Sequence, residues 1–336
     1  MITKVRALAL FLGGVLAAAF AGAAVAKEVT FAYQDMMNPW RVAMANKELE
    51  KATGWKINWR QFGGGGDVIR AMASGDVKIG EAGSSPIASA ISQGLNVELF
   101  WILEDIADAE ALVVRNGSGI LAPRDLKGKR IGVPFVSTTH FHLMFALEQF
   151  GFKSADVQVL NMRPPEIAAA WERGDLDATF IWDPVLAKVK KNGKVLIASG
   201  LLSNWGKATF DGLIVDKKFA RENPDFMVAL VKILAKHDDE YRKNKAAWTV
   251  NSPQVQAVAR ISGAKPEDVA GGMALYGFPT LAEQASATWL GGGKDSGAVR
   301  ALKFTSEFLK EQGSIQAVLA DYGTAVNPEW VQRAMK

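Results

Sequence analysis

Cysteine is absent from the chain, and histidine nearly so, with only His140, His142 and His237. The first absence excludes disulfides, thiol nucleophiles and thiolate metal sites together. The second leaves too few imidazoles for a metal centre. His140 and His142 lie two apart on a predicted helix and so point to different faces, which gives His142 a plain core or surface place. Gly-x-Ser-x-Gly is missing, removing the usual hydrolase elbow. Gly291-Gly292-Gly293-Lys294-Asp295 ends like a phosphate loop, but Asp295 stands where Ser or Thr is required and no apolar strand leads in. No basic stripe interleaved with aromatics occurs. The formal charge of +4 falls by two, to +2, if Lys4 and Arg6 leave with the leader described next, so nucleic acid is not expected as a partner. These absences exclude the common catalytic classes and give no reason to expect a cofactor or a metal.

What the chain does have begins at its N-terminus. Met1 to Ala26 carries Lys4 and Arg6, then an apolar stretch rich in Ala, Leu, Phe and Gly, and ends Ala24-Val25-Ala26. That is the pattern of a secretory signal peptide cut after Ala26. No Cys follows to take a lipid anchor, and no later uncharged run reaches membrane-spanning length. The mature chain is therefore expected to be soluble and periplasmic. An apolar fraction of 49% against 22% charged gives enough core to fold without disulfides. The length exceeds what one core usually organises, so two domains are expected.

Strand formers alternate in Val29-Thr30-Phe31-Ala32-Tyr33 and again from Lys56 to Phe62, with a helix between, from Trp40 to Ala52. Gly63 to Gly66 reads as a loop, with Asp67 capping a helix over 68–73. A unit then appears twice. Ile69 to Gly80 leads to Gly83-Ser84-Ser85-Pro86, and Ile167 to Phe180 leads to Trp182-Asp183-Pro184. Each copy reads as a helix stopped at Gly, a short strand, and a new helix start containing Pro. Strands are also expected at 110–114, 130–133, 157–161 and 213–215. The remainder is mostly helical, over 224–243, 253–261, 266–273 and 298–312. Strands alternating with helices predict α/β lobes with largely parallel sheets. No low-complexity linker occurs, so the lobes are expected to join through extended strands near Val114 and Gly212. That gives a first lobe of 27–113 with 212–336 and a second of 114–211.

Three helix starts stand out chemically: Gly83-Ser84-Ser85-Pro86, Ser137-Thr138-Thr139 and Asp183-Pro184. A helix N-terminus leaves N–H groups unpaired and carries partial positive charge, so it can hold an anion without a lysine. Hydroxyls add neutral donors there, and in open α/β sheets such starts lie where ligands bind. Each Ser, Thr or Asp is equally suited to capping its own helix. Trp182 and Trp205 lie in segments read as loops, beside Asp183 and before Asp211. There they either box an ammonium by cation–π contact or pack the lobes together.

Ala32-Tyr33-Gln34, Val68 to Asp76, Gly83-Ser84-Ser85-Pro86 and Glu110-Ala111-Leu112-Val113-Val114 resemble the taurine-binding proteins of ABC importers, within the sulfonate, nitrate and taurine solute-binding family. Val133-Pro134-Phe135-Val136-Ser137-Thr138-Thr139-His140, Ala168 to Asp175 and Phe308 to Gly313 extend the likeness, in the same order, over nearly the whole mature chain. The resemblance implies a type II, two-lobed periplasmic-binding-protein fold with two crossovers and a ligand cleft between the lobes. It also implies a protein that is not an enzyme, delivers its cargo to a membrane permease, and is expected to be a monomer. It places Glu110 and Asp211 facing the ligand. Taurine carries a sulfonate and, two carbons away, an ammonium. Ser84, Ser85, Ser137, Thr138 and His140 are candidates for the sulfonate, together with Gly83 and Thr139 of the same helix starts. Glu110 and Asp211 are candidates for the ammonium, with Gln34 as a polar wall. At Asp183 the family admits Ala, which favours capping there. The Gly63–Gly66 run departs from less glycine-rich relatives. Other aliphatic sulfonates or small zwitterions fit the same fold. Thiamine-precursor synthases share the architecture, but a His or Cys cluster and no leader would be expected of them.

Overall fold

The alternation in the first two strand segments puts Val29, Phe31 and Ile57 inward, and the two segments pair in parallel. The computed structural model describes residues 27–336; the signal-peptide reading falls on residues outside those described. Ten strands form there: β1 Glu28–Tyr33, β2 Lys56–Gln61, β3 Ile79–Gly83, β4 Val97–Asp105, β5 Glu110–Arg115, β6 Arg130–Val133, β7 Gln158–Asn161, β8 Ala178–Trp182, β9 Gly193–Ala198 and β10 Phe210–Asp216. They make two five-stranded sheets, ordered β2-β1-β3-β10-β4 and β7-β6-β8-β5-β9.

The two orders are one pattern used twice. Three strands of successive strand–helix units run parallel in each sheet, and one strand lies antiparallel beside the third, β10 in the first sheet and β5 in the second. β4 and β9 complete the sheets on the far side of those inserted strands. Each inserted strand is the one by which the chain arrives from the other sheet. The duplicated unit seen in the sequence occupies one position in both. The helix Gly65–Ala73 leads into β3 and then the helix Ser84–Ser92, while Pro164–Arg173 leads into β8 and then Val185–Lys190.

Four expectations are revised. β5 begins at Glu110 and pairs wholly in the second sheet, so the first crossing lies at 106–109, ahead of Val114. The return crossing precedes Phe210, ahead of Gly212. Two strands escaped the sequence reading. β4 is buried on both faces, so its apolar stretch from Leu99 to Leu103 shows no alternation to mark it, and β9 is short and half-exposed. The helix expected over 40–52 is broken at Lys47, whose φ of 54° turns the chain between Arg41–Ala45 and Glu48–Thr53. The helix after the glycine run starts at Gly65, with Gly64 at the cap position, so Asp67 caps nothing.

Each sheet has its own core. Phe31, Trp101, Phe210 and Leu213 pack in the first, with Leu234 and Leu302 from the long C-terminal helices. In the second, alternation along β5 and β8 sends Leu112 and Phe180 to one face, and Val113 and Ile181 with Trp171 to the other. Burial of each such side chain stabilises by about 1.5–3 kcal/mol. With two separate cores, the space between the sheets is left for a cleft.

Candidate functional site

In an open α/β sheet, ligands sit beyond the C-terminal ends of the parallel strands. β1, β3, β6 and β8 end there and hand over to Gln34, Ser84, Pro134 and Asp183. β5 and β10 run the opposite way, so their beginnings lie at those same edges. Glu110, first in β5, pairs with Trp182, and Asp211, second in β10, pairs with Gly83. Each crossover thus brings one carboxylate to the ligand edge of its sheet.

A cavity of about 20 Å³ lies between the edges. Of the residues expected at the site, Gln34, Gly83, Glu110, Ser137, Thr138, Trp182 and Asp211 line it, with Met36, Gly65 and Pro86. It adjoins a groove of about 520 Å³ walled by Gly63–Asp67 on one lobe and by Pro134–Ser137 and 161–163 on the other. Thr138 reaches across the divide: a Cβ at Gly83 would lie 2.9 Å from Thr138 Cγ2 and 3.2 Å from Asp211 Oδ1. Glycine is what this approach requires.

Glu110 is buried, and the Thr138 hydroxyl donates to its Oε1 at 2.5 Å. Burial pushes its carboxyl up to about 8, against the pull of that hydroxyl. Asp211 has no hydrogen-bonding partner among the described residues. Burial raises it well above the ordinary range, the charges of Glu110 and Glu81 raise it further, and Arg41 opposes them. Gln34 is fixed from behind: its N–H donates to Glu81 Oε1 at 3.1 Å, and its carbonyl accepts from Arg41 Nη2 at 3.0 Å. Trp182 is buried and donates from Nε1 to Asp35 of the opposite lobe at 3.4 Å. Ser84 and Ser85, at the start of their helix, are fully buried beside the cavity without lining it, and neither hydroxyl has a partner. Gly83 at the cap position has no side chain to use.

Other expected residues are placed elsewhere or already used. Ser137 caps its helix by accepting from the His140 N–H at 3.0 Å, and its hydroxyl lies 2.7 Å from that of Thr139. His140 stacks on Phe135 at 4.4 Å and meets Phe308 edge-on, and burial lowers its pKa to about 4. Asp183 accepts from the Ala187 N–H at 2.7 Å, the capping role, and sits against Gly272. Trp205 is 44% exposed and packs edge-on against Phe145, away from the cavity; it boxes nothing.

Several residues of this site were not found in the sequence. Arg41 and Glu81 form a fully buried ion pair at 2.6 Å that positions the Gln34 loop. Their partnership spans forty positions and has no local signature. Glu104 is Asp211's partner across β10 and β4, and neither of its oxygens is hydrogen-bonded. It was hidden with β4. His142 and Ser199 form a buried pair behind Glu110. Among the described residues no group of three or more His, Asp and Glu side chains is placed to hold a metal ion.

Two lobes of one topology, two crossovers, and a small cavity with two carboxyl groups between facing sheet edges define a two-lobed solute-binding protein. The chain belongs to the NMT1/THI5-like family, which its residues 50–244 match. It is 40% identical over 309 residues to the taurine-binding periplasmic protein of Escherichia coli strain K12, covering 92% of this chain and 94% of that one. Its fold matches that of the alkanesulfonate-binding protein of Xanthomonas axonopodis pv. citri, solved with MOPS, at a TM-score of 0.73 and 22% identity, over 90% of this chain and 98% of that one. The periplasmic aliphatic sulphonate-binding protein of Escherichia coli matches at 0.71 and 20% identity, over 92% and 100%.

Proposed function

We propose that this protein captures taurine in the periplasm, after cleavage of its leader behind Ala26, and delivers it as a monomer to the membrane permease of an ABC importer. The observation that carries the reading is the arrival of Glu110 and Asp211, from opposite lobes, at one buried cavity. Two carboxyl groups in such a place ionise only beside a cation, because a buried carboxylate left unpaired costs several kcal/mol. An ammonium supplies that cation. The helix starts at Ser84 and Thr138 supply backbone N–H donors suited to a sulfonate, and the Ser84 and Ser85 hydroxyls have no other partner. The 40% identity to a taurine-binding protein agrees with this pairing.

The cavity holds about one water, so taurine enters by parting of the lobes and closure around it. The polar ties across the cleft are weak enough to allow that. Trp182 to Asp35 is a long bond at 3.4 Å, and Arg163 to Asp67, at 3.5 Å, is a partly exposed pair worth about 0–1 kcal/mol. Ligand bridging both lobes then stabilises the closed form by its differential affinity.

Titration calorimetry of residues 27–336 at pH 8 tests this, with ethanesulfonate lacking the ammonium and β-alanine replacing the sulfonate. Taurine is expected to bind at least tenfold more tightly than either. Equal binding of ethanesulfonate sinks the assignment of Glu110 and Asp211 to an ammonium, and absence of heat with taurine sinks the cargo.

A further inference from the structure

Behind Glu110 runs a chain of polar groups that plays no part in the cavity itself. His142 Nε2 lies 2.7 Å from the Lys207 carbonyl oxygen, and His142 Nδ1 lies 2.7 Å from Ser199 Oγ. Ser199 Oγ stands 3.5 Å from Glu110 Oε2. All three side chains are buried. A carbonyl oxygen only accepts, so Nε2 must carry the hydrogen. In a neutral imidazole Nδ1 is then an acceptor, and Ser199 must give it its one hydrogen. Ser199 has none left for Glu110 and turns a lone pair toward Oε2. At the other oxygen the Thr138 hydroxyl donates to Oε1, marking Oε1 as the carbonyl side. With a neutral imidazole, donors and acceptors match when Oε2 carries a proton and turns it toward Ser199 across 3.5 Å; a bare carboxylate there would face a lone pair. The opposite order, with Ser199 donating to a carboxylate, needs a buried imidazolium, which burial disfavours by lowering His142.

We infer that the Lys207 carbonyl, His142 and Ser199 hold Glu110 as a neutral acid, so that capture of an ammonium expels one proton while capture of a plain sulfonate expels none. The inference rests on the reading that Glu110 meets the ligand's cation. In the exchange the Oε2–H bond breaks, the proton leaves to bulk water, and the ammonium pairs with the resulting carboxylate from the cavity side; one positive charge enters and one leaves. Ser199 and His142 are positioning residues, acting through Glu110 and touching no ligand. Burial, which drives Glu110 up and His142 down to about 4, agrees with a neutral acid beside a neutral imidazole. The groups around the cavity add to this. Asp211 and Glu104 on the first sheet are acids raised by burial, as are Asp183 and Asp35 at the cavity's flanks, and Tyr276 is held neutral. Arg41, the one buried Lys or Arg among the described residues, is engaged by Glu81.

The consequence is a cargo preference that depends on pH. Where Glu110 is neutral, an alkanesulfonate meets no bare charge there, and an ammonium must displace a proton. As pH rises the proton leaves more readily, so preference for the aminosulfonate grows.

Two measurements decide it. In the ligand-free protein, carboxyl carbon and imidazole nitrogen NMR, with Glu110→Gln identifying the Glu110 signal, should show Glu110 titrating far above ordinary glutamates and His142 as the Nε2–H tautomer. Ser199→Ala should lower the Glu110 midpoint by about one unit, since the acid loses its acceptor, and Ser199→Thr should restore it. An upward shift in Ser199→Ala means that Ser199 donates to a carboxylate, and overturns the inference; so does an ordinary Glu110 midpoint. Calorimetry in buffers of different ionisation enthalpy, from pH 6 to 8, should show taurine binding tighten toward tenfold per unit with release of about one proton at pH 6. Ethanesulfonate should stay flat or weaken. Taurine binding without proton release overturns the exchange. Failure of taurine to bind with the NMR signature intact overturns the exchange together with the cargo, whereas loss of the signature overturns the network alone.

Discussion

The two lobes bring the same parts to the facing sheet edges and leave them in different states. Each contributes a helix start after a strand and an acid at the beginning of its antiparallel strand. In the second lobe these groups are occupied. Ser137 caps its helix, Thr139 meets Ser137, and Thr138 binds Glu110. In the first they are free: Ser84 and Ser85 have no partners, and Asp211 has no hydrogen bond among the described residues. One residue accounts for much of the contrast. Ser137 stands at the cap position of its helix, where its hydroxyl is used at once. Gly83 stands at the matching position, so the two serines that follow are left unspent. A half-site with satisfied groups is rigid before ligand arrives, and one with unsatisfied groups gains most from it. The first lobe is therefore the half that ligand completes.

The largest expected effect tests the acids. Asp211→Asn removes the unpartnered carboxylate, and taurine affinity should fall roughly thirtyfold or more, the cost of taking one partner from a desolvated charge pair. Ligand-free stability should not fall with it. A loss of folding together with binding would show that Asp211 has a structural partner and that the contrast between lobes is false.

Next in size is the pH dependence of the ligand-free protein. Glu110 has its folded value raised from 4.5 to about 8, so the folded state holds a proton that the unfolded chain has released. The stabilisation is full below about 4.5 and is lost as pH rises toward 8, at no more than about 1.4 kcal/mol per pH unit for each such group. Asp211, Glu104 and Asp238 are raised by burial in the same direction. Thermal unfolding between pH 5 and 8 should therefore show a falling midpoint. Glu110→Gln should flatten the slope. A midpoint that rises with pH over this range contradicts the raised acids.

Much of this could be read in the sequence, for local reasons. The duplicated strand-to-helix unit appeared at both third strands because helix stops, short apolar runs and Pro-containing starts are encoded within a few residues. Glu110 and Asp211 were found through resemblance; that they sit at the ligand edge follows from strand direction, which no local pattern carries. Glu104 was lost with β4, whose burial on both faces removes the alternation that marks a strand. Arg41–Glu81 and His142–Ser199 are contacts between distant segments and leave no spacing to read. Trp205 was misplaced by its nearness to Asp211 in sequence. The short irregular helix at 203–207 turns it outward before β10 begins.

The smallest effects separate the two helix starts most cleanly, because they differ in sign. Ser137→Ala removes a cap, so it should lower stability by about 1 kcal/mol, and the contacts of its hydroxyl with Pro134 and Thr139 add to the loss. Ser84→Ala and Ser85→Ala each remove a buried hydroxyl that has no partner. The folded protein loses no hydrogen bond and is relieved of a desolvated group, so stability should hold or rise by about 1 kcal/mol. Ligand affinity should run the other way. The double variant Ser84→Ala/Ser85→Ala should bind taurine about tenfold less tightly in calorimetry, and Ser137→Ala should bind it with little change once folded. If Ser84→Ala and Ser85→Ala destabilise the ligand-free protein, their hydroxyls have partners after all, and the first lobe is as fully satisfied as the second.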